Sequence, residues 1–207
     1  MIPSSPFLCV ITDEALCPVT VAELVLKGGA AMIQLRHKSA SGSQLFSWAV
    51  EIRKLCQKYR ALFIINDRVD IAMASEADGV HLGQQDIPAN VARKLLGKER
   101  IIGVSASSLK EALQAEKDGA NYIGFGHIYP TVSKKKEFPP LGTEALQNAA
   151  NSISLPIIAI GGVTLENAAT LISCGATGVA VISAVSRTDD PSWAASELVA
   201  ALKWNNS

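Results

Sequence analysis

The sequence predicts a closed (β/α)₈ barrel, with all of residues 1–207 in one domain. Three observations support this fold. Eight short runs rich in Val and Ile recur along the chain, helical patterns lie between most of them, and similar glycine-containing links lead from helix to strand. Eight units in 207 residues leave about 26 residues for each, which is compact but workable for this fold.

The eight apolar runs are near-continuous in hydrophobicity and do not alternate with polar residues. This pattern is typical of parallel strands that are covered on both faces. The predicted strands are residues 7–12, 32–35, 62–65, 79–82, 101–104, 122–125, 157–160 and 178–182.

Four segments show clear helical periodicity, and they cover residues 41–59, 108–118, 167–174 and 191–203. Ser108 is placed to cap the second helix, and Gly175 ends the third. The apolar residues predicted to share a face are Leu45, Trp48, Ile52 and Leu55 in the first helix, and Leu109, Ala112, Leu113 and Ala115 in the second.

A weak internal repeat marks the junctions between helices and strands: GGAAMIQL, SEADGVHL, KDGANYIGF and SCGATGVAV. Glycine at these places ends a helix and lets the chain turn into the next strand. The competing fold is an open doubly wound sheet, which would need a phosphate-binding glycine loop after the first strand. The residues there are Thr12-Asp13-Glu14-Ala15, without that fingerprint.

Composition and charge restrict the classes of function. The formal net charge is zero, so no overall field favours nucleic acid or a membrane surface. The four cysteines lack metal-ligand spacing, and buried thiols are predicted for Cys9 and Cys174. The N-terminus has no signal-peptide pattern and no run approaches a membrane span. These features predict a cytoplasmic protein, and they leave its oligomeric state open, a homo-oligomer included.

The predicted carboxyl ends of the strands are unusually polar, and chemistry in such barrels takes place there. Single residues have simpler explanations: Arg36 as a surface charge, Asp67 as a helix cap, Asp86 as a charge at a helix start, and His81 as a packed side chain. Their joint placement at one barrel mouth favours a site. The longest polar segment is 124–136, GFGHIYPTVSKKK, whose lysines and hydroxyls suit a phosphate.

The residue types at this mouth indicate two anion sites. Asp67 and Asp86 suit Mg²⁺, which takes one or two carboxylates together with water and substrate phosphate. Arg36, Lys38 and Lys134 supply positive charge for a diphosphate. Backbone N–H groups at Gly161-Gly162 and Ile182-Ser183 follow the last two strands, where barrels often hold a phosphate. Two phosphorylated small-molecule substrates, one bearing a metal-held diphosphate, suggest a transferase that releases pyrophosphate.

With these residues in place, the chain resembles the thiamine-phosphate synthase family, also called thiamine-phosphate pyrophosphorylase. The resemblance covers nearly the whole length. The matching stretches, which are specific as an ordered set, are IQLRHK, NDRVDIA, DGVHLGQQD, IGVSA, GANYIGFGHIYPTVSKK, IIAIGG and GVAVISAV. It implies a (β/α)₈ barrel that joins an aminopyrimidine methyl diphosphate to a thiazole phosphate, in thiamine biosynthesis, and releases pyrophosphate.

The resemblance also implies roles for individual residues, with Mg²⁺ as the metal. The implied ligands of the pyrimidine diphosphate are Gln34, Leu35, Arg36, His37, Lys38, Asn66, Ser105 and Lys134. The implied ligands of the thiazole phosphate are Thr131, Val132, Ser133, Gly162, Ile182 and Ser183. The metal is assigned to Asp67 and Asp86, and the chemical step to Arg36, Lys38, Ser105, His127 and Lys134.

Two alternatives remain open at this stage. The related thiazole tautomerases share the barrel and move a proton with a histidine after strand 6, where His127 stands. Ser133 also departs from the threonine common in synthases, whereas Asn66-Asp67, Asp86 and Lys134 favour the synthase. A binding paralogue without turnover would be expected to lack a metal or diphosphate residue, and none is lacking.

Overall fold

A computed structural model describes residues 1–14, 16–131 and 138–203. Its centre is a closed barrel of eight parallel strands in the order β1 to β8, and β8 pairs with β1. The predicted (β/α)₈ fold is therefore confirmed. None of the described helices is both long enough and apolar enough to cross a membrane.

The strands agree with the predicted runs to within two residues at either end. The observed bounds are β1 Phe7–Ile11, β2 Met32–Leu35, β3 Leu62–Asn66, β4 Gly79–Leu82, β5 Ile101–Ala106, β6 Tyr122–Gly126, β7 Ile157–Ile160 and β8 Gly178–Val181. Strands β3, β5 and β6 run further toward the carboxyl end than predicted. Asn66 and Ser105 therefore take part in regular strand pairing, and this pairing fixes the direction of their side chains.

Helices follow every strand. Their bounds are α1 Pro18–Lys27, α2 Gly42–Tyr59, α3 Val69–Ala74, α4 Ala89–Leu96, α5 Leu109–Lys117, α6 Gly142–Ser152, α7 Leu165–Ser173, α8 Ser183–Ser186 and α9 Pro191–Lys203. The sequence patterns predicted α2, α5, α7 and α9 only. Helices α3, α4 and α8 have eight residues or fewer, too few for a clear period, and α1 carries three β-branched valines.

The larger hydrophobic core lies between the barrel and its helices, and it corrects two predicted helix faces. In α2 the buried residues include Ala49 and Cys56, whereas Trp48 and Leu55 are only partly buried. In α5 the prediction for Leu113 was wrong, because this side chain is 43% exposed while Ala112 and Ala115 are buried. Alanine brings α5 close to the sheet, so the larger leucine is left at the edge of the contact.

A second core fills the barrel itself. Its members, contributed by seven of the eight strands, are Phe7, Cys9, Ile11, Met32, Ile64, Ile101, Tyr122, Ile158 and Ala180. Cys9 is buried, as predicted, and burial raises the pKa of its thiol to about 12, which disfavours the reactive thiolate. Cys174 is only half-buried, in contrast to the prediction of a buried thiol. The residues of this second core form a packed plug, so the barrel is not an open channel.

Candidate functional site

A polar pocket opens at the carboxyl ends of the strands, directly above the barrel plug. Its cavity volume is about 120 Å³. The predicted site residues that line it are Gln34, Arg36, Asn66, Ser105, His127, Thr131 and Ile182. A larger cavity of about 380 Å³ lies at the opposite end of the barrel, beside Met1 and Arg100. Of these two cavities, we assign the site to the one at the mouth, because polar side chains from many strands converge there.

Strand β2 separates its predicted residues between two environments. Gln34 is 4% exposed and lines the pocket, and Arg36 follows on the same side. Leu35 points outward into the core beneath the helices, so any contact it makes with a ligand must come from its backbone. His37 stacks on Trp48 of α2 with ring centroids 5.0 Å apart, and it is not among the residues that line the pocket.

Thr12 holds the backbone of Arg36 in place, a function that the sequence did not reveal. The Thr12 hydroxyl is fully buried, donates to the Arg36 carbonyl at 2.9 Å and accepts from the Arg36 N–H at 2.9 Å. The Arg36 guanidinium itself donates to Glu14 at 3.0 Å. Arg36 is therefore fixed at its backbone and directed by an acidic neighbour. In the sequence, the only feature that could have pointed to this function of Thr12 was its position directly after strand 1.

Lys38, Asp67 and Asp86 form a charged cluster at one side of the mouth. The Lys38 ammonium donates to Asp67, and the Gly83 N–H donates to Asp86 at 2.7 Å. Asp67 has φ of 61°, a left-handed conformation that few residues other than glycine adopt but that aspartate tolerates. Asp67 comes directly after β3, and its carboxylate accepts from the Lys38 ammonium.

The two carboxyl groups interact directly, and their pKa values move in opposite directions. Burial raises the pKa of Asp86, and its contact with Asp67 adds to this rise. Burial also opposes ionisation of Asp67, but hydrogen bonds from Lys38 and Asp86 bring the pKa of Asp67 below its ordinary value. When the pair holds one proton, Asp86 therefore carries it and donates it to Asp67.

This pair fits a divalent cation such as Mg²⁺. Two carboxylates brought together at a solvent-accessible edge repel each other when ionised, and a cation removes that repulsion. Among the described residues, no group of three or more His, Cys, Asp or Glu side chains gathers in one place. Two protein carboxylates with the other ligands from water and phosphate are the usual arrangement for Mg²⁺.

The raised pKa of Asp86 leads to a stability prediction for the metal-free protein. Above pH about 4 the unfolded carboxyl is ionised while the folded one resists ionisation, so the carboxylate destabilises the fold. We expect Asp86→Asn to raise the melting temperature at pH 7 by about 1–3 °C, a gain that disappears near pH 3.

Calorimetry without divalent metal measures this effect. Asp70→Asn on α3 is the matched control, because Arg68 lowers the pKa of Asp70 and its removal should give no gain. A lower melting temperature for Asp86→Asn at pH 7 would contradict the assignment.

A smaller cavity of about 40 Å³ adjoins the pocket between the ends of β7 and β8. Gly161 and Gly162 line it, with φ of 96° and 67°, together with Ile182 and Ser183. The loop after β6 packs on these glycines, and the Tyr129 N–H donates to the Gly161 carbonyl at 3.0 Å. A side chain at Gly162 would overlap this loop, since its Cβ would lie 2.5 Å from the Pro130 carbonyl oxygen.

The loop after β6 reaches both cavities. Thr131 lines each of them, and His127 is 4% exposed and stacks on Phe138 with centroids 5.1 Å apart. The predicted ligands Val132, Ser133 and Lys134 lie outside the described residues, so their roles stay predictions.

His81 was predicted to be packed, and it is buried with 8% exposure. It also lines the pocket and contacts Ser105, a contact that the sequence analysis missed. The sequence feature that could have indicated this contact was the pair Gly103 and Gly124 on the next two strands, β5 and β6. Glycine inside a strand often marks the close approach of another group.

A closed barrel with a polar pocket at its carboxyl end defines this protein as a (β/α)₈-barrel enzyme. The family model described as thiamine monophosphate synthase matches residues 8–185. The chain belongs to this family.

Individual relatives agree over almost the full length. A thiamine-phosphate synthase of Chlorobium limicola is 62% identical over 99% of this chain and 98% of its own. One of Methanospirillum hungatei is 48% identical over 86% of this chain and 88% of its own. The solved thiamine phosphate pyrophosphorylase of Pyrococcus furiosus superposes with a TM-score of 0.91 at 40% identity, covering 97% of each chain.

Proposed function

We propose that this protein is a thiamine-phosphate synthase, which joins an aminopyrimidine methyl diphosphate to a thiazole phosphate and releases pyrophosphate. The observation that carries the proposal is the cluster of Lys38, Asp67 and Asp86 next to a largely uncharged polar pocket. None of the three lines the pocket, but Lys38 and Asp67 follow the pocket residues Arg36 and Asn66 closely in the chain. Such a mouth suits a ligand with a neutral ring and a diphosphate tail. The synthases of Chlorobium limicola and Methanospirillum hungatei support the same reaction.

The diphosphate is assigned to the charged side of the mouth. Asp67 and Asp86 would hold Mg²⁺, which neutralises charge on the leaving diphosphate. Lys38 and Arg36 would contact the same group directly, each exchanging its present carboxylate partner for phosphate oxygen. These cations stabilise the charge that develops as the carbon–oxygen bond breaks, so no protein nucleophile is needed.

The pyrimidine ring is assigned to the pocket, where Gln34, Asn66 and Ser105 offer polar atoms. Leu35 and His37 would contribute through their backbone or through the position of α2. Little water fits beside a ring in a cavity of about 120 Å³. Exclusion of water protects the pyrimidine cation until the thiazole nitrogen captures it.

The acceptor's phosphate is assigned to the smaller cavity between β7 and β8. Gly162 and Ser183 line this cavity and offer backbone N–H groups, and Ile182 and Thr131 complete its wall. The remaining predicted ligands, Val132, Ser133 and Lys134, follow Thr131 in the chain and lie outside the described residues. The two cavities share Thr131, so the acceptor would be held next to the pyrimidine site.

The tautomerase alternative depends on His127. This side chain does line the pocket, but the relatives named above are synthases, and they give the alternative no support. The binding-paralogue alternative would be expected to lack a metal or diphosphate residue, and none of these is missing from the sequence. We therefore retain the synthase alone.

The deciding experiment supplies the purified protein with both substrates, with and without Mg²⁺. We expect equal amounts of thiamine phosphate and pyrophosphate, and only modest loss in His127→Ala. Glu23→Gln on the outer helix α1 is the control for effects of expressing and purifying a variant, and it should be as active as the unsubstituted protein. Absence of pyrophosphate, together with isomerisation of the thiazole carboxylate phosphate that His127→Ala abolishes, would replace the synthase with the tautomerase.

A further inference from the structure

Three side chains from neighbouring strands form a continuous hydrogen-bonded chain inside the barrel. The Tyr122 hydroxyl lies 2.9 Å from Nδ1 of His81, and Nε2 of His81 lies 2.8 Å from Oγ of Ser105. Tyr122 is 1% exposed within the barrel plug, whereas Ser105 lines the pocket. The chain therefore runs from the apolar interior to the ligand space.

The barrel makes room for this chain with two glycines. A Cβ at Gly103 would overlap the ring of Tyr122, and a Cβ at Gly124 would lie 2.8 Å from Cε1 of His81. Both rings thus fill space that inward-facing side chains would otherwise occupy. The two rings pack against each other with centroids 5.4 Å apart.

The chemistry of the three groups gives the hydrogen bonds a direction. Neutral imidazole has one donor nitrogen and one acceptor nitrogen. Burial raises the pKa of Tyr122 well above its ordinary value, so the phenol keeps its proton and can donate to Nδ1 of His81. In the opposite direction the phenol would accept from Nδ1 of His81, and its own hydrogen would need a second acceptor. Among the described residues the hydrogen-bond partner of the Tyr122 hydroxyl is His81, and the neighbouring Cys9 sulfur is only a weak acceptor, so this direction costs a buried unmade hydrogen bond.

This direction determines what Ser105 can offer a ligand. With Nδ1 accepting from Tyr122, Nε2 carries the hydrogen and donates to Oγ of Ser105. The serine hydroxyl has one hydrogen, which is then available to the pocket.

We propose that Tyr122 and His81 are positioning residues that fix Ser105 as a hydrogen-bond donor toward the pocket. The pocket then selects a ring that presents an acceptor there, such as an unprotonated ring nitrogen, over a ring with N–H at that place. The choice of ring rests on the proposed function, whereas the direction of the hydrogen bonds does not.

The tautomer of His81 tests the direction without any activity. Nitrogen NMR of the ¹⁵N-histidine-labelled protein should show the hydrogen on Nε2 of His81 at pH 8, and Tyr122→Phe should shift it toward Nδ1. The signals of His81 are identified by their absence from the spectrum of the His81→Gln variant. A hydrogen on Nδ1 in the unsubstituted protein would overturn the proposal, whether or not the protein is a synthase.

Kinetics test the consequence for the ligand. Ser105→Ala and Tyr122→Phe should each raise KM for the pyrimidine diphosphate by about tenfold, the usual effect of one hydrogen bond, and leave KM for the thiazole phosphate unchanged. The double variant should be no worse than Ser105→Ala, because both changes remove the same donor.

Tyr59→Phe, at the end of α2 outside the barrel, removes the same atom and should have no effect. Two results would count against the proposal. One is a rise in KM in the double variant that equals the product of the two single rises, and the other is an equal rise in KM for the pyrimidine diphosphate and for the thiazole phosphate. If Tyr122→Phe does not fold, the NMR of the unsubstituted protein still decides the direction of the hydrogen bonds.

Discussion

Asp86→Ala is expected to lower the rate of pyrophosphate release by at least about 10²- to 10³-fold at any Mg²⁺ concentration. Asp86 is one of two carboxylates that fit the cation, and the other, Asp67, is already paired with Lys38. Without Asp86, the metal would have to compete with the Lys38 ammonium for a single carboxylate. The measurement is the initial rate of pyrophosphate release as Mg²⁺ is varied.

Two controls make this result specific. Asp70→Asn removes an exposed carboxylate on α3 that pairs with Arg68 and does not face the cluster, so its rate should be unchanged. Asp86→Asn should be as inactive as Asp86→Ala and yet remain folded. Near-full activity of Asp86→Ala at low Mg²⁺ would exclude the metal assignment, although the synthase reaction itself could still stand.

Gly162→Ala is expected to have the second large effect, on both stability and acceptor binding. The residue has φ of 67°, and its Cβ would meet the Pro130 carbonyl oxygen at 2.5 Å and Cβ of Tyr129 at 2.7 Å. Strain and overlap together should cost about 2–5 kcal/mol. Displacement of the loop after β6 would open the smaller cavity. KM for the thiazole phosphate should therefore rise more than KM for the pyrimidine diphosphate.

Gly97→Ala provides a matched control for this variant. Gly97 has φ of 74°, and a Cβ there would meet nothing within 4 Å. It therefore carries a positive-φ strain of its own without the overlap, and it lies at the end of α4. Denaturant unfolding of both variants separates the two costs. Equal destabilisation of both, with unchanged KM values, would show that the close approach at Gly162 does not matter for the acceptor.

The fold could be predicted from the sequence because its signals are local. A strand covered on both faces needs a continuous apolar run, and each run in this chain is separated from the next by a helix, in four cases with a glycine-containing link into the following strand. The eight strands were found for this reason. Helices α3, α4 and α8 were missed because a segment of eight residues or fewer completes barely two turns, which is too little to establish a period.

The site was predicted less completely, for a geometric reason. The structure brings several of the residues at the strand ends to one mouth, since all parallel strands end on the same side. Which of these residues face the ligand depends on how side chains alternate between the two faces of each strand. This alternation places Gln34 in the pocket and Leu35 in the outer core. His37 was carried away from the pocket by its packing on Trp48, a residue eleven positions further along the chain.

The sequence by itself determined the barrel, the polar mouth and the family that the chain resembles. Only the tertiary structure decided the pairings across strands: Thr12 with Arg36, Asp67 with Lys38 and Asp86, and Tyr122 with His81 and Ser105. These pairings join residues that are far apart in the chain, and they exist because barrel closure fixes the register between strands. Local patterns carry no information about that register, since it is set by packing of the whole barrel.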